Sequence, residues 1–138
     1  MASMAAKVTA AFLESKGMNF DLIEEKNVIV TGFGLDNLEG IKVIINFDEG
    51  DETVGVRAYG IAKFPESKID AMYKLVNSLN VQFRWIKFVV DEEDFCINAE
   101  DDAIIQLDSC GEEVFRCCLH FATIVDEAYP IIMKGVFA

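Results

Sequence analysis

The stretch of residues 66–98 constrains the fold of this chain more than any other part of the sequence. Apolar residues recur at helical spacing over 66–80, and the pattern then changes to that of two strands, 83–90 and 95–99, joined by the acidic turn 91–94. Segregation of helices and short hairpins along a chain is typical of α+β domains. The sequence therefore predicts helices packed against an antiparallel sheet.

Four further segments with strand-like spacing precede that helix, at 20–24, 28–31, 41–47 and 53–61, the first of them weak. Short turns separate these segments, which favours antiparallel hairpins over parallel crossovers. In 41–47, apolar residues alternate with Lys42 and Asn46, as in a sheet with one buried and one wetter face. We expect about five strands with helices mainly on one face, in the order α-β-β-β(-β)-α-β-β-α.

Residues 111–133 form the longest predicted helix, and apolar residues cover more than half of its circumference. One arc contains Val114, Cys118, Phe121, Val125 and Ile132, and a second contains Phe115, Leu119, Ala122 and Tyr129. A helix that packs only on a sheet needs an apolar arc of roughly 100°. We therefore assign the second arc, together with Trp85, to a partner or dimer surface.

The start and the end of the last helix are less clearly marked in the sequence. Residues 101–109 are interpreted as a connection before the last helix, and Pro130 is expected to kink or end that helix near Asp126, because proline cannot donate the hydrogen bond to the carbonyl four residues earlier.

Charge and composition exclude several kinds of partner. The chain has 24 acidic and 12 basic residues, for a net charge of −12, and its Lys and Arg residues form no cluster. Neither nucleic acid nor an anionic membrane is therefore an expected partner. With 52% hydrophobic residues in 138, the chain is expected to form a single domain over 1–138, and the absence of a leader or apolar span predicts a cytoplasmic location.

Few residues suggest catalysis or cofactor binding. Cys96, Cys110, Cys117 and Cys118 contain no C-x-x-C pair and are expected to be reduced thiols. His120, the only histidine, falls on the polar arc of the last helix. A zinc site or thiol-dependent enzyme using Cys117, Cys118 and His120 is the alternative function, although tetrahedral zinc needs three or four such ligands.

No cofactor is expected. Gly32-Phe33-Gly34 lacks the third glycine of a dinucleotide fingerprint and is interpreted as a turn. The acidic groups at 48–52 and 91–94 match no calcium-loop spacing and are interpreted as solvated hairpin tips, with a weak divalent-ion site left open.

The order of elements and three motifs resemble the bacterial YbjN family of proposed sensory transduction regulators, whose fold is similar to that of type III secretion chaperones. The motifs are Phe-Leu-Glu-Ser-Lys-Gly at 12–17, Leu-Val-Asn-Ser-Leu-Asn at 75–80 leading to the acidic turn, and Val-Asp-Glu-Ala-Tyr-Pro at 125–130. The resemblance spans residues 8–133 and implies a non-enzymatic, self-associating domain that binds protein segments. It supplies no catalytic residues.

The leading hypothesis is therefore a cytoplasmic protein-binding or regulatory module that acts as a homodimer. A third, minor hypothesis is the capture of a small apolar ligand between helix and sheet.

Overall fold

The computed structural model describes residues 1–138 and contains three α-helices and one six-stranded antiparallel sheet. The elements in chain order are α1 (Met4–Ser15), β1 (Phe20–Ile23), β2 (Val28–Phe33), β3 (Ile41–Phe47), β4 (Thr53–Lys63), α2 (Ile69–Gln82), β5 (Lys87–Asp91), β6 (Cys96–Ile104) and α3 (Cys110–Val136). A short 3-10 turn, Glu66–Lys68, leads into α2.

The strands lie in the order β1-β2-β3-β4-β6-β5, which confirms the predicted α+β class with an antiparallel sheet. The expected count of about five strands was too low, because the weak segment at 20–24 is a true edge strand. It pairs with β2 from Phe20 opposite Thr31 to Ile23 opposite Val28.

One face of the sheet is buried beneath the helices. Ile45 and Val56 lie opposite each other on β3 and β4, and neither side chain is exposed. The same hydrophobic cluster contains Leu13 of α1, Leu79 of α2 and Phe121 of α3. On the other face, alternate residues such as Ile44 and Arg57 stay half-buried. The prediction that the helices pack mainly on one face is confirmed.

Residues near both ends of helix α1 favour its start and its stop. The Ser3 hydroxyl accepts a hydrogen bond from the Ala6 N–H at 3.2 Å, and Gly17 follows the helix with a φ of 71°. This helix crosses α3 closely at Gly111, where an added Cβ would lie 2.6 Å from the Cβ of Phe12. A glycine at this position therefore allows the two helices to touch.

Helix α3 continues through Pro130 to Val136 and does not end near Asp126, which was one of the two outcomes expected at this proline. Pro130 lacks the N–H that would bond to the Asp126 carbonyl. The side chain of Asn37 supplies the missing donor, since its Nδ2 donates to that carbonyl at 3.1 Å. Tertiary contact thus satisfies the carbonyl that the proline leaves free.

Three other boundaries differ from the sequence prediction. Strand β5 begins at Lys87, so 83–86 is not strand, and β6 extends to Ile104 through residues that were interpreted as a connection. Gly32 and Phe33 belong to β2, and the turn lies after them. No helix has both the length and the apolar character needed to cross a bilayer.

Candidate interaction surfaces

The second apolar arc of α3 is covered unevenly by the rest of the chain. Ala122 is buried, Phe115 and Tyr129 are half-buried, and 43% of Leu119 is exposed. The Phe115 ring packs against the Phe12 ring of α1, with centroids 5.8 Å apart. The arc is therefore partly closed within the protomer, and Leu119 is its most exposed member.

Leu119 lies between two concavities of about 520 and 510 Å³ that also share Phe33 and Gly34. Together they form one groove between α3 and the end of β2, which we call the Leu119 groove. Its apolar lining consists of Met18, Phe33, Leu35, Phe115, Leu119 and Ala122. Tyr129 lines neither concavity, so the structure separates it from the other three residues of the predicted arc.

One wall of the Leu119 groove is the loop 34–40 between β2 and β3. Two hydrogen bonds attach this loop to α3: the Asn37 N–H donates to Asp126 Oδ1 at 2.8 Å, and Asn37 Nδ2 donates to the Asp126 carbonyl. The second bond is the one that compensates for Pro130. The proline therefore creates an attachment point that holds the wall of the groove against the helix.

The two ends of the Leu119 groove differ in charge. Asp36, Asp126 and Glu127 line one end, and no Lys or Arg lines either concavity. The ammonium group of Lys16 lies over the Phe115 ring, with its Nζ 5.7 Å from the ring centroid. The groove thus presents an apolar floor beside a cluster of carboxylates.

Trp85 lies in a different part of the molecule from Leu119. Its side chain is 73% exposed, as expected, and it lines an open cleft of about 790 Å³ between the α2–β5 connection and β6. Its φ is 76°, and the Ile86 N–H donates to the Arg84 carbonyl at 2.9 Å, so the residue sits in a tight, strained turn. The Trp85 cleft shares no residue with the Leu119 groove.

The Trp85 cleft also contains a buried carboxyl group that the sequence analysis did not single out. Asp101, on β6, is only 8% exposed, and the Sγ of Cys117 on α3 donates to its Oδ2 at 3.2 Å. Burial raises the pKa of the Asp101 carboxyl. Burial and the neighbouring Asp101 together raise the pKa of the Cys117 thiol.

These thiols are poorly suited to nucleophilic chemistry. Burial raises the pKa of Cys118 to about 12, so its thiolate is scarcely populated near neutral pH. His120 is exposed on the polar arc, as predicted, and makes no side-chain hydrogen bond. No group of three or more His, Cys, Asp and Glu side chains is arranged to hold a metal ion. The alternative based on Cys117, Cys118 and His120 thus gains no support from the geometry.

Both acidic turns close hairpins, but not all of their carboxylates are in solvent, since Asp51 Oδ1 accepts from the Ala5 N–H at 2.8 Å at the start of α1. Asp91 accepts hydrogen bonds from the N–H groups of Asp94 and Glu93, which lower the pKa of its carboxyl. Asp48 accepts from the N–H groups of Thr53 and Glu52, and its pKa is likewise lowered. Asp48 and Asp91 thus act as local turn caps.

Comparison with known proteins identifies the fold. No family model and no curated protein sequence matches the chain. A crystal structure of YbjN from E. coli, described there as "a putative transcription regulator", matches with a TM-score of 0.62 and 14% sequence identity over 90% of each chain. The resemblance to YbjN predicted from the sequence is therefore confirmed for the fold.

Proposed function

We propose that this protein is a non-catalytic protein-binding module with a regulatory role, and that its Leu119 groove binds an amphipathic, positively charged segment of a partner protein. The observation that carries the proposal is the groove itself, where an exposed leucine on an apolar floor lies beside three carboxylates. The regulatory role rests on the likeness to YbjN. Four cysteines without a disulfide support a cytoplasmic location.

The apolar floor and its charged end fit an amphipathic segment. A helix that places leucine-like residues at i, i+3, i+4 and i+7 presents a stripe of the kind that fills such grooves. Lys or Arg residues beside that stripe would approach Asp36, Asp126 and Glu127. Complementary charge increases both the association rate and the discrimination between partners.

A second copy of the chain, as expected from the sequence, is the rival occupant. Two copies that meet through the same groove would bring the same carboxylates together around a two-fold axis. Each copy also has a net charge of −12, which opposes association. Charge therefore favours a basic partner over the homodimer.

Fluorescence anisotropy with a labelled amphipathic peptide tests the proposal. The peptide has Leu at helical spacing and Lys at the remaining positions, and a second version has Glu in place of Lys. Leu119→Asp should lower the affinity for the Lys peptide by about tenfold or more, because it places a charge on the apolar floor. Ile131→Asp is the matched control, since Ile131 is 37% exposed on the same helix but lines no part of the groove.

Both substitutions add one negative charge, so a general electrostatic attraction for a basic peptide would change the affinity of both variants equally. A difference in affinity between them therefore reports on the groove. Equal binding to Leu119→Asp and Ile131→Asp, or equal binding of the Lys and Glu peptides, would contradict the proposal. Light scattering that detects a dimer of the wild type, and a monomer of Leu119→Asp, would identify the second copy as the occupant instead.

A further inference from the structure

Strand β6 is longer than its outer neighbour. β5 covers only the part from Cys96 to Glu100, where Asp91 lies opposite Cys96 and Lys87 opposite Glu100. β4 pairs with the other side of β6 as far as Ile104. Residues 101–104 therefore have a strand on one side only, and we call this segment the β6 edge.

The direction of the main-chain groups along the β6 edge follows from a contact on β5. The side chain of Asn80 accepts from the Phe88 N–H at 2.7 Å and donates to the Phe88 carbonyl at 3.1 Å, so the main chain of Phe88 faces α2. Since this direction alternates along a strand, Lys87 faces β6 and Glu100 faces β5. Two and four residues beyond Glu100, Asp102 and Ile104 face the same side, where no strand lies.

The main-chain groups of the odd-numbered residues that follow Glu100 face the other way, toward β4, which agrees with this assignment. The Ile105 N–H donates to the Glu52 carbonyl at 2.9 Å, on the β4 side, as expected for an odd-numbered position. No strand pairs with the N–H and carbonyl groups of Asp102 and Ile104, which repeat at the spacing of a strand, and 79% of the Ile104 side chain is exposed. An extended segment that displaces water can bond to this whole row at once.

The carboxylates beside the β6 edge differ in their partners. Arg57 pairs with Asp102 at 2.8 Å and approaches Glu100 at 3.8 Å on the open face of the sheet. Asp101 points to the opposite face, lines the Trp85 cleft and is only 8% exposed; its carboxylate forms no ion pair, although Arg57 Nη1 donates to its main-chain carbonyl at 2.9 Å. Arg84 and Lys87 also line the cleft but are exposed, so water and salt screen their charges.

We propose that the β6 edge binds an extended, positively charged segment of another protein by strand addition, with a Lys or Arg of that segment opposite Ala103, from where it reaches Asp101 diagonally on the same face. The added strand would continue the line of β5 and bond to the main-chain groups of Asp102 and Ile104. Residues directly opposite each other on neighbouring strands point to the same face, so the cation would enter the Trp85 cleft. Trp85 would then cover its aliphatic part.

A second copy is a poor occupant of this edge. Antiparallel pairing of two β6 edges would bring the Asp101 and Asp102 residues of both copies together, in addition to the net charge of −12 on each chain. This site and the Leu119 groove adjoin α3 at different residues, Cys117 and Leu119, and the Trp85 cleft shares no lining residue with the groove.

Amide-detected NMR with the labelled full chain tests the inference. The probe is the peptide Thr-Val-Lys-Val-Thr, compared with Thr-Val-Glu-Val-Thr. The Lys peptide should shift the amide signals of Asp102 and Ile104 and slow their hydrogen exchange, which should be fast in the free protein. Two further peptides carry N-methyl groups at alternate main-chain nitrogens, one at the odd positions and one at the even positions. Only one of these two peptides should lose binding, because alternate N–H groups of a strand point to opposite sides and only one set faces β6.

Asp101→Asn should reduce the affinity for the Lys peptide by about tenfold. Asp94→Asn is the matched control, since it removes one charge from the exposed β5–β6 turn, outside the β6 edge and the Trp85 cleft, and should change the affinity little. Protected Asp102 and Ile104 amides in the free protein, equal binding of the Lys and Glu peptides, or equal tolerance of both methylation sets would overturn the proposal.

Leu119→Asp distinguishes the two sites. This substitution should leave the affinity for the extended peptide unchanged, although it weakens the binding of the amphipathic Lys peptide. Loss of the extended peptide in Leu119→Asp would show that the peptide occupies the groove, and would overturn strand addition at β6.

Discussion

Phe121 and Leu119 lie two residues apart on α3, yet 1% of the first side chain and 43% of the second are exposed. Phe121 faces the sheet, where strands β4 and β6 bury it in the main cluster. Leu119 faces the gap between α1 and the loop 34–40, which close over its neighbours Phe115 and Ala122 but not over Leu119 itself. Two apolar stripes of one helix can therefore have different roles, one in stability and the other in binding.

The largest expected contrast is between alanine substitutions at these two positions. Phe121→Ala should lower the free energy of unfolding by about 3–5 kcal/mol, because it leaves a cavity in a close-packed core. Leu119→Ala should lower it by about 1 kcal/mol or less, since water already contacts the leucine. Urea unfolding monitored by circular dichroism measures both. Similar losses for the two variants would place Leu119 in the core and remove the contrast.

The contact between α1 and α3 gives the next largest effect. Gly111→Ala would place a Cβ 2.6 Å from the Cβ of Phe12, so α1 must move. We expect a loss of about 1–3 kcal/mol and weaker binding of the amphipathic peptide, because Phe12 supports Phe115 in the groove.

Gly135→Ala is the control for this substitution. Its added Cβ would meet only the flexible tip of Leu75, with Cδ2 at 3.1 Å. This variant should be close to neutral, since the helix propensity of alanine offsets the tight contact. If Gly111→Ala were equally neutral, the close helix crossing would be wrong.

The attachment of the groove wall to α3 is expected to contribute less. Asn37→Ala should cost about 1 kcal/mol, because it leaves the Asp126 carbonyl without a donor. In a Pro130→Ala background residue 130 regains its N–H, so the same substitution should cost less. A double-mutant cycle on unfolding free energies measures the difference. Additive costs would show that Asn37 does not compensate for the proline.

The smallest expected effect depends on pH. Burial raises the pKa of Asp101 in the folded state, so its carboxyl favours folding when protonated and this contribution is lost as the pH rises through the folded-state pKa. Asp101→Asn should therefore stabilise the fold near neutral pH, with a gain that disappears on acidification to about pH 3, below the unfolded-state value. Unfolding measured across this range tests the sign. A gain that is independent of pH would assign the effect to packing.

The regular parts of this fold were predictable from local pattern. Apolar alternation predicted β3, and the second apolar arc of the last helix indicated Leu119. These signals depend on neighbours in the chain, which is why one sequence suffices to detect them.

Other features depend on contacts between distant residues. Nothing near Pro130 in sequence indicates that Asn37 would satisfy the Asp126 carbonyl beyond which the helix continues to Val136. The strand character of 101–104 was hidden by Asp101 and Asp102, which are unfavourable in strands but are stabilised here by Cys117 and Arg57. The Trp85 cleft lies where β6 continues beyond its pairing with β5. Its position depends on how the strands pair, which a local sequence pattern does not reveal.

The most direct test of the Leu119 groove is methyl-detected NMR of the full chain during titration with the amphipathic Lys peptide. We expect the largest changes in methyl chemical shift at Met18, Leu35, Leu119 and Ala122, and no change in the methyl signals of Ile131 and Ile104. Shifts centred on Ile131, or spread evenly over the surface, would contradict the claim that this groove is the docking site.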